Sequence, residues 1–340
     1  MKPTKVRIEA VAQKAGVSPT AVSFAFNNPH RLNPQTVVRI LDAARDLGYT
    51  PNPHARALLA KSIGVIGILT PQSLASIFAN PFFAAFHEGA GSVCDQHNLS
   101  LLTISSVSGS LAQASANAPV DGLIVVGLDE PHPEIEVLHR RKMPFVIVDG
   151  DATVAPSVNV DDEAGAYAAA AFLLERGHRE IACLTFERDY SATHHEKVYG
   201  VGQRRLEGIK RAFRDFGQTW QDDNLFPTVA SIAAGEEAFH KLWQQANRPT
   251  AVLAMADIIA IGVLQAAVAS GVRVPDDLAI IGFDDIPHAA WTTPPLTTVH
   301  QPIMDKGEIA MQQLLSLIAS EIPAELNIQL PTTLIIRQSV

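Results

Sequence analysis

The sequence predicts a small α-helical head, a short hinge helix, and a two-lobed α/β body built on parallel sheets. Three observations predict it. The first fifty residues contain three short apolar-striped helices punctuated by turn residues. From Gly64 onward, strand-like apolar runs alternate with helical stretches, which is the pattern of parallel sheets with crossover helices. Charge divides along the same line. Residues 1–61 carry nine Lys/Arg against three Asp/Glu, and the remainder carries 17 against 32, within a chain whose net charge is −9. A basic head on an acidic body is the electrostatic footprint of a protein whose head alone meets phosphate.

In the head, Val11, Ala12 and Ala15 form the inner stripe of a first helix. Gly16 makes the tight turn, since a residue without Cβ accepts positive φ. Ser18 is a suitable N-cap and Pro19 suits the first helical position. The second helix, Pro19 to Phe26, turns Val22 inward and leaves Thr20, Ser23 and Phe24 exposed, as a helix entering the major groove requires. A third helix, Pro34 to Leu47, carries Val37, Ile40, Leu41 and Ala44 at helical spacing and closes at Gly48. Thr50-Pro51-Asn52-Pro53 is a turn, and His54 to Ala60 is a helix too short to be stable alone. Such a marginal segment folds only when a partner surface stabilises it.

In the body, strands are predicted at Val65–Thr70, Leu101–Ile104, Gly122–Val126, Phe145–Val148, Ile181–Thr185, Thr250–Ala254, Leu278–Gly282 and Thr333–Ile336. Helices are predicted near 82–97, 131–141, 162–176, 200–216, 232–246, 257–270 and 303–319. Their order suggests two parallel-sheet units meeting near residue 160, with a ligand cleft at the carboxyl ends of the strands.

Other classes fit poorly. Two cysteines, Cys94 and Cys183, read as reduced core thiols rather than a disulfide framework. With no charged-then-apolar leader and no apolar run beyond Ala164–Leu174, a soluble cytoplasmic protein without membrane contact is expected. His194-His195-Glu196 suggests a zinc motif, but Tyr199 stands where the second histidine belongs, so no metal is expected. Gly200-Val201-Gly202-Gln203-Arg204-Arg205 lacks the context of a dinucleotide loop. No nucleophile elbow, P-loop or paired-carboxylate arrangement points to catalysis, and neither an enzyme nor a cofactor is expected.

With these pieces in order, the chain resembles the LacI/GalR (lactose-repressor) family over nearly its full length. The head carries Val11-Ala12-Gln13-Lys14-Ala15-Gly16-Val17-Ser18-Pro19-Thr20 and Val22-Ser23. The hinge carries Gly48-Tyr49-Thr50-Pro51-Asn52 with Ala55-Arg56 and Leu58. The body carries Asn80-Pro81-Phe82-Phe83, Asp121-Gly122, Gly177-His178-Arg179, Arg205-Leu206 with Gly208, Gly282-Phe283-Asp284-Asp285, and Pro295-Leu296-Thr297-Thr298-Val299 with Gln301-Pro302.

The resemblance implies a ligand-responsive transcriptional repressor that binds a near-palindromic DNA operator as a homodimer. Its body would be similar to periplasmic binding proteins, with three crossings between lobes. On that pattern the head is 1–50, the hinge 51–62 and the body 63–340. The near-head lobe would be about 63–160 plus 293–323, and the far lobe about 161–292 plus 324–340. Ser18, Pro19, Thr20, Ser23, Phe24 and Asn27 would face DNA, and Leu58 with Ala55 would enter the minor groove, where an apolar wedge unstacks a base step. Packing of head on body is the competing role for Leu58. Phe24 departs from the family, in which Arg is frequent; a phenyl ring favours a thymine methyl over guanine.

Phe82, Phe83, Asp149, Arg205 and Asp257 are the effector contacts the resemblance implies, with core packing the competing role for the phenylalanines and N-capping for Asp257. Ala256 stands where relatives often place Asn or Ser. Asp284 and Asp285 are expected to fix a turn rather than touch ligand. Sugar, sugar phosphate, nucleoside and purine all remain open as effector. No leucine-heptad tail follows the last strand, so a dimer is expected rather than a tetramer.

Overall fold

The computed structural model describes residues 6–49, 62–105, 110–186 and 200–340. The turn at 50–53, the hinge helix with Ala55 and Leu58, and the segment from His194 to Tyr199 lie outside the described residues. The chain divides into two compact units, Met1–Gly64 and Val65–Val340.

In the first unit, α1 (Ile8–Ala15) buries Val11, Ala12 and Ala15 and ends at Gly16, whose φ is 63°. Ser18 caps α2 (Pro19–Asn27) by accepting from the Ala21 amide at 3.2 Å. Val22 and Ala25 are its buried residues. After a single 3₁₀ turn at Pro29–Arg31, Asn33 caps α3 (Pro34–Leu47) by accepting from Gln35 N at 2.9 Å. Ile40, Ala43 and Ala44 complete the small core, with Val37 partly buried against it. Its modest size makes the caps matter, each being worth about 1 kcal/mol.

The second unit contains two six-stranded sheets. The first runs β1 (Val65–Leu69), β2 (Ser100–Ile104), β3 (Gly122–Val126), β4 (Phe145–Val148) and β5 (Ser157–Val160). With them come α4 (Leu74–Ala79), α5 (Pro81–His97), α6 (Leu111–Asn117) and α7 (Glu136–Arg141). The second begins after α8 (Asp162–Glu175) and holds β6 (Ile181–Phe186), β7 (Leu225–Thr228), β8 (Ala251–Ala254), β9 (Ala279–Asp284) and β10 (Thr297–His300). Its helices are α9 (Val201–Asp215), α10 (Ile232–Trp243), α11 (Asp257–Ala269) and the short α12 (Pro287–Trp291). The chain then returns through α13 (Ile303–Ile318) and β11 (Asn327–Leu330) before ending in β12 (Thr333–Ile335). Strand orders are β11-β5-β4-β3-β1-β2 and β12-β10-β9-β8-β6-β7. All pairings are parallel except β10 with β12.

The sheets move two expected boundaries. Thr297–His300, placed with the near-head lobe on the expected division at 293, pairs with β9 in the second sheet. Asn327–Leu330, placed with the far lobe on the division at 323, pairs with β5 in the first. The chain therefore passes between sheets after β5, after β10 and after β11. Periodicity missed β5, β7, β10 and β11 because each has four residues and a mixture of polar and apolar side chains.

Among the described residues, three helix pairs pack through glycine, α8 and α9 meeting where a Cβ on Gly208 would overlap the Glu163 carbonyl. A Cβ on Gly89 of α5 would overlap the Met304 carbonyl of α13, and one on Gly307 of α13 would overlap the Phe86 carbonyl of α5. Gly235 of α10 and Gly262 of α11 face each other in the same way. Close seating of α13 on α5 carries the start of α13 to the carboxyl ends of the first sheet's strands. Both cysteines are buried and free, and burial pushes the Cys183 thiol up to about 12. No helix among the described residues is long and apolar enough to cross a membrane.

Candidate DNA-reading surface and effector cleft

On the head, Ser18, Pro19, Thr20 and Asn27 are exposed, while Ser23 and Phe24 are half-buried on the same helix. Asn27 Nδ2 donates to Ser23 Oγ at 3.3 Å, which fixes both side chains along one edge of α2. Sequence reasoning missed Arg31. The turn at Pro29–Arg31 brings its guanidinium to 5.6 Å from the centroid of the Phe24 ring. A cation from seven residues downstream thus stands over the phenyl ring at position 24. Pro29, which opens that turn, was the signal that the helix ends here.

In the body, the expected effector residues converge on strand ends but are already partnered. Asp149 follows β4 with φ at 55°, and its Oδ1 lies 2.6 Å from Lys306 Nζ. Lys306 is fully buried. It also donates to Gln301 Oε1 at 2.5 Å, and Gln301 Nε2 donates to Asp284 Oδ1 at 2.6 Å. Phe82 places its ring centroid 5.4 Å from the same ammonium. Phe83 is core: its ring meets Phe82 edge-on at 5.3 Å, and its carbonyl accepts from His87 Nδ1 at 2.6 Å.

Across from them, Arg205 of α9 is also buried. Its Nε donates to Asp162 Oδ1 at 2.9 Å, its Nη1 donates to the Met255 carbonyl, and its guanidinium lies 3.5 Å from the Phe283 ring centroid. Asp149 and Arg205 therefore do not pair with each other; each holds a different partner. Arg204 joins Asp162, Asn159 and Asp151, the last at 2.7 Å, and so ties α9 to the segment after β4.

Asp257 stands at the first position of α11 with both carboxylate oxygens in use. Oδ2 accepts from Ile286 N at 2.9 Å and Oδ1 from Thr298 Oγ1 at 2.5 Å. Burial first, and then the neighbouring Asp284 carboxylate, push its pKa well above the usual range. Its role here is to lock β9 and β10 against α11; a Cβ on Gly282 would collide with this carboxylate. The expectation is that Asp284 and Asp285 fix their turn; Asp285 instead holds Arg337 at 2.6 Å and His300 at 3.0 Å, far along the chain. Asp284 departs from it: its carboxylate joins the buried group between the sheets. Burial raises its pKa to about 6 against the opposing pull of Arg205, Gln301 and Lys306. Sequence reasoning also missed Lys306. The available signal was a lone cation in the apolar stripe Ile303, Gly307, Ala310, Met311, Leu314 of α13.

Comparison with known proteins resolves what this two-part architecture is. Residues 7–52 match the family described as bacterial regulatory proteins, lacI family, and residues 170–340 match the periplasmic binding protein-like domain. The chain is 31% identical to the HTH-type transcriptional regulator DegA of Bacillus subtilis, over 98% of each sequence. It belongs to the lacI family.

The HTH-type transcriptional repressor PurR of Erwinia tasmaniensis is 32% identical over 98% of this chain and 96% of its own length. Among solved structures, the lac repressor dimer bound to operator and the anti-inducer ONPF matches with a TM-score of 0.81 at 26% identity, covering 99% of both chains. The CelR–cellobiose complex matches with a TM-score of 0.72, also at 26% identity, covering 99% of this chain and all of CelR. As a lacI-family member, the chain is a transcriptional regulator with a DNA-binding head and a small-molecule effector domain. Its curated relatives are regulators rather than enzymes.

Proposed function

We propose that this regulator acts in the cytoplasm as a homodimeric repressor, gripping a near-palindromic operator with Ser18, Pro19, Thr20, Ser23, Phe24 and Asn27. The observation that carries this reading is the exposed edge of α2 on a net-basic head, with Arg31 held over Phe24. Residues 51–62 serve as the hinge, with Ala55 and Leu58 at the minor groove. The dimer reading is supported by the lac repressor dimer and by Leu74 and Phe78, exposed apolar side chains one turn apart on α4.

Phe82, Asp149, Arg205 and Asp284 define the effector site, and Phe83 and Asp257 support it from behind. Carboxylates and a guanidinium beside aromatic rings suit sugar hydroxyls, and relatives have been solved with cellobiose and with ribose. A purine is the second reading, supported by the PurR relatives. The effector must favour one arrangement of the lobes, since equal affinity for both would shift nothing. Selection of bound sequences from a random duplex pool, followed by a thermal-shift panel of sugars, sugar phosphates, nucleosides and purines, tests both halves. A palindrome and a single ligand class are expected. Failure to enrich any sequence would overturn the operator reading.

A further inference from the structure

We propose that Lys306 is a resident cation that ties the two lobes together and positions the effector site. A lysine ammonium removed from water costs several kcal/mol unless it is fully compensated. Here the compensation spans the molecule. The near end is Asp149, at the end of β4 in the first sheet, and the far end is Asp284, at the end of β9 in the second. Lys306 and Gln301 are the two links between them, and none of the three bonds exceeds 2.6 Å. The same ammonium lies near the Phe82 ring, so it engages both near-lobe groups assigned to the effector. Strand carboxyl ends are where ligands bind in this architecture, and the tie joins those ends directly.

Two consequences follow. Asp149 is not a free acceptor, so an effector acts by rearranging an existing ion pair rather than by filling an empty carboxylate. An effector bearing an amine at this point would meet a like charge, so the site selects a partner that offers oxygen acceptors to Lys306. This second consequence rests on the effector reading given above; the tie itself does not.

The test uses the full-length protein without effector. Lys306→Met leaves the Asp149 carboxylate without its cation, and the double variant Lys306→Met/Asp149→Asn removes that charge as well. The melting temperature is expected to fall in the single variant and to recover largely in the double. Amide exchange by mass spectrometry is then read in the double variant, where a merely structural role predicts native protection. The tie predicts at least tenfold faster exchange at residues 149–151 and, across the cleft, at 283–286. Unchanged exchange at 283–286 would overturn the cross-lobe coupling. A double variant no more stable than the single would overturn the Lys306–Asp149 pairing. Because no effector is present, either result stands whatever ligand the cleft takes.

Discussion

The DNA-reading head and the effector cleft solve opposite problems. On the head, the proposed DNA contacts are exposed or half-buried and held by near neighbours: Asn27 by Ser23, Arg31 by Phe24, and α2 by its own cap. In the body, the proposed effector residues are buried and held by partners far away in sequence, with Asp149 and Lys306 157 positions apart and Arg205 and Asp162 43 apart. The contrast has a physical cause. Phosphate and base edges are met in water, where an exposed donor carries no desolvation penalty. A ligand enclosed between lobes is met by groups that have already lost their water, so each needs a compensating partner. Substitutions should therefore cost affinity in the head and stability in the cleft.

The largest effect is expected from Arg205→Ala. It leaves Asp162 fully buried with only the half-exposed Arg204, and a broken buried pair costs roughly 3–5 kcal/mol. Thermal denaturation checks this, and a loss below 1 kcal/mol would break the contrast. Asp284→Asn is expected to show its effect in the pH dependence of stability. The Asp284 pKa stands near 6 in the folded chain, above its ordinary value of 3.8, so the folded state binds the proton more tightly. The penalty for its charge is full above pH 6 and is relieved as pH falls towards 4. Asn does not titrate in this range and so removes that pH dependence. Measured against the native protein, the variant's melting temperature should thus fall as pH is lowered from 7 to 4, and a constant difference would remove Asp284 as the titrating group.

The smallest effects on folding belong to the head. Arg31→Ala should leave the melting temperature unchanged, weaken operator binding by about 1–3 kcal/mol if the guanidinium reads a base, and lower the salt slope by about one if it holds phosphate. Phe24→Ala should mimic it in part, since Arg31 loses its platform. Titration of labelled operator at several salt concentrations separates these outcomes. Unaltered binding in both variants would remove Arg31 from the reading surface.

The sequence by itself determined the head, because its information is local. Gly16, Ser18, Pro19, Asn33 and Gly48 each act on their own turn or helix end, and α1, α2 and α3 lie where spacing places them. It also determined that the body is parallel α/β, since buried strands such as Gly122–Val126 are continuous apolar runs. Only the tertiary structure decided the rest. Four-residue strands of mixed polarity take their sheet from the partner they meet, which is why β10 and β11 lie across the boundaries that the family resemblance implied. Asp149, Arg205, Asp257 and Asp284 were legible as polar residues at strand and helix ends, but their partners were not. A carboxylate becomes a ligand acceptor, a helix lock or one end of an ion chain according to what packs beside it. Lys306 shows this most plainly: spacing places it in an apolar stripe, and only the fold brings a carboxylate to its ammonium.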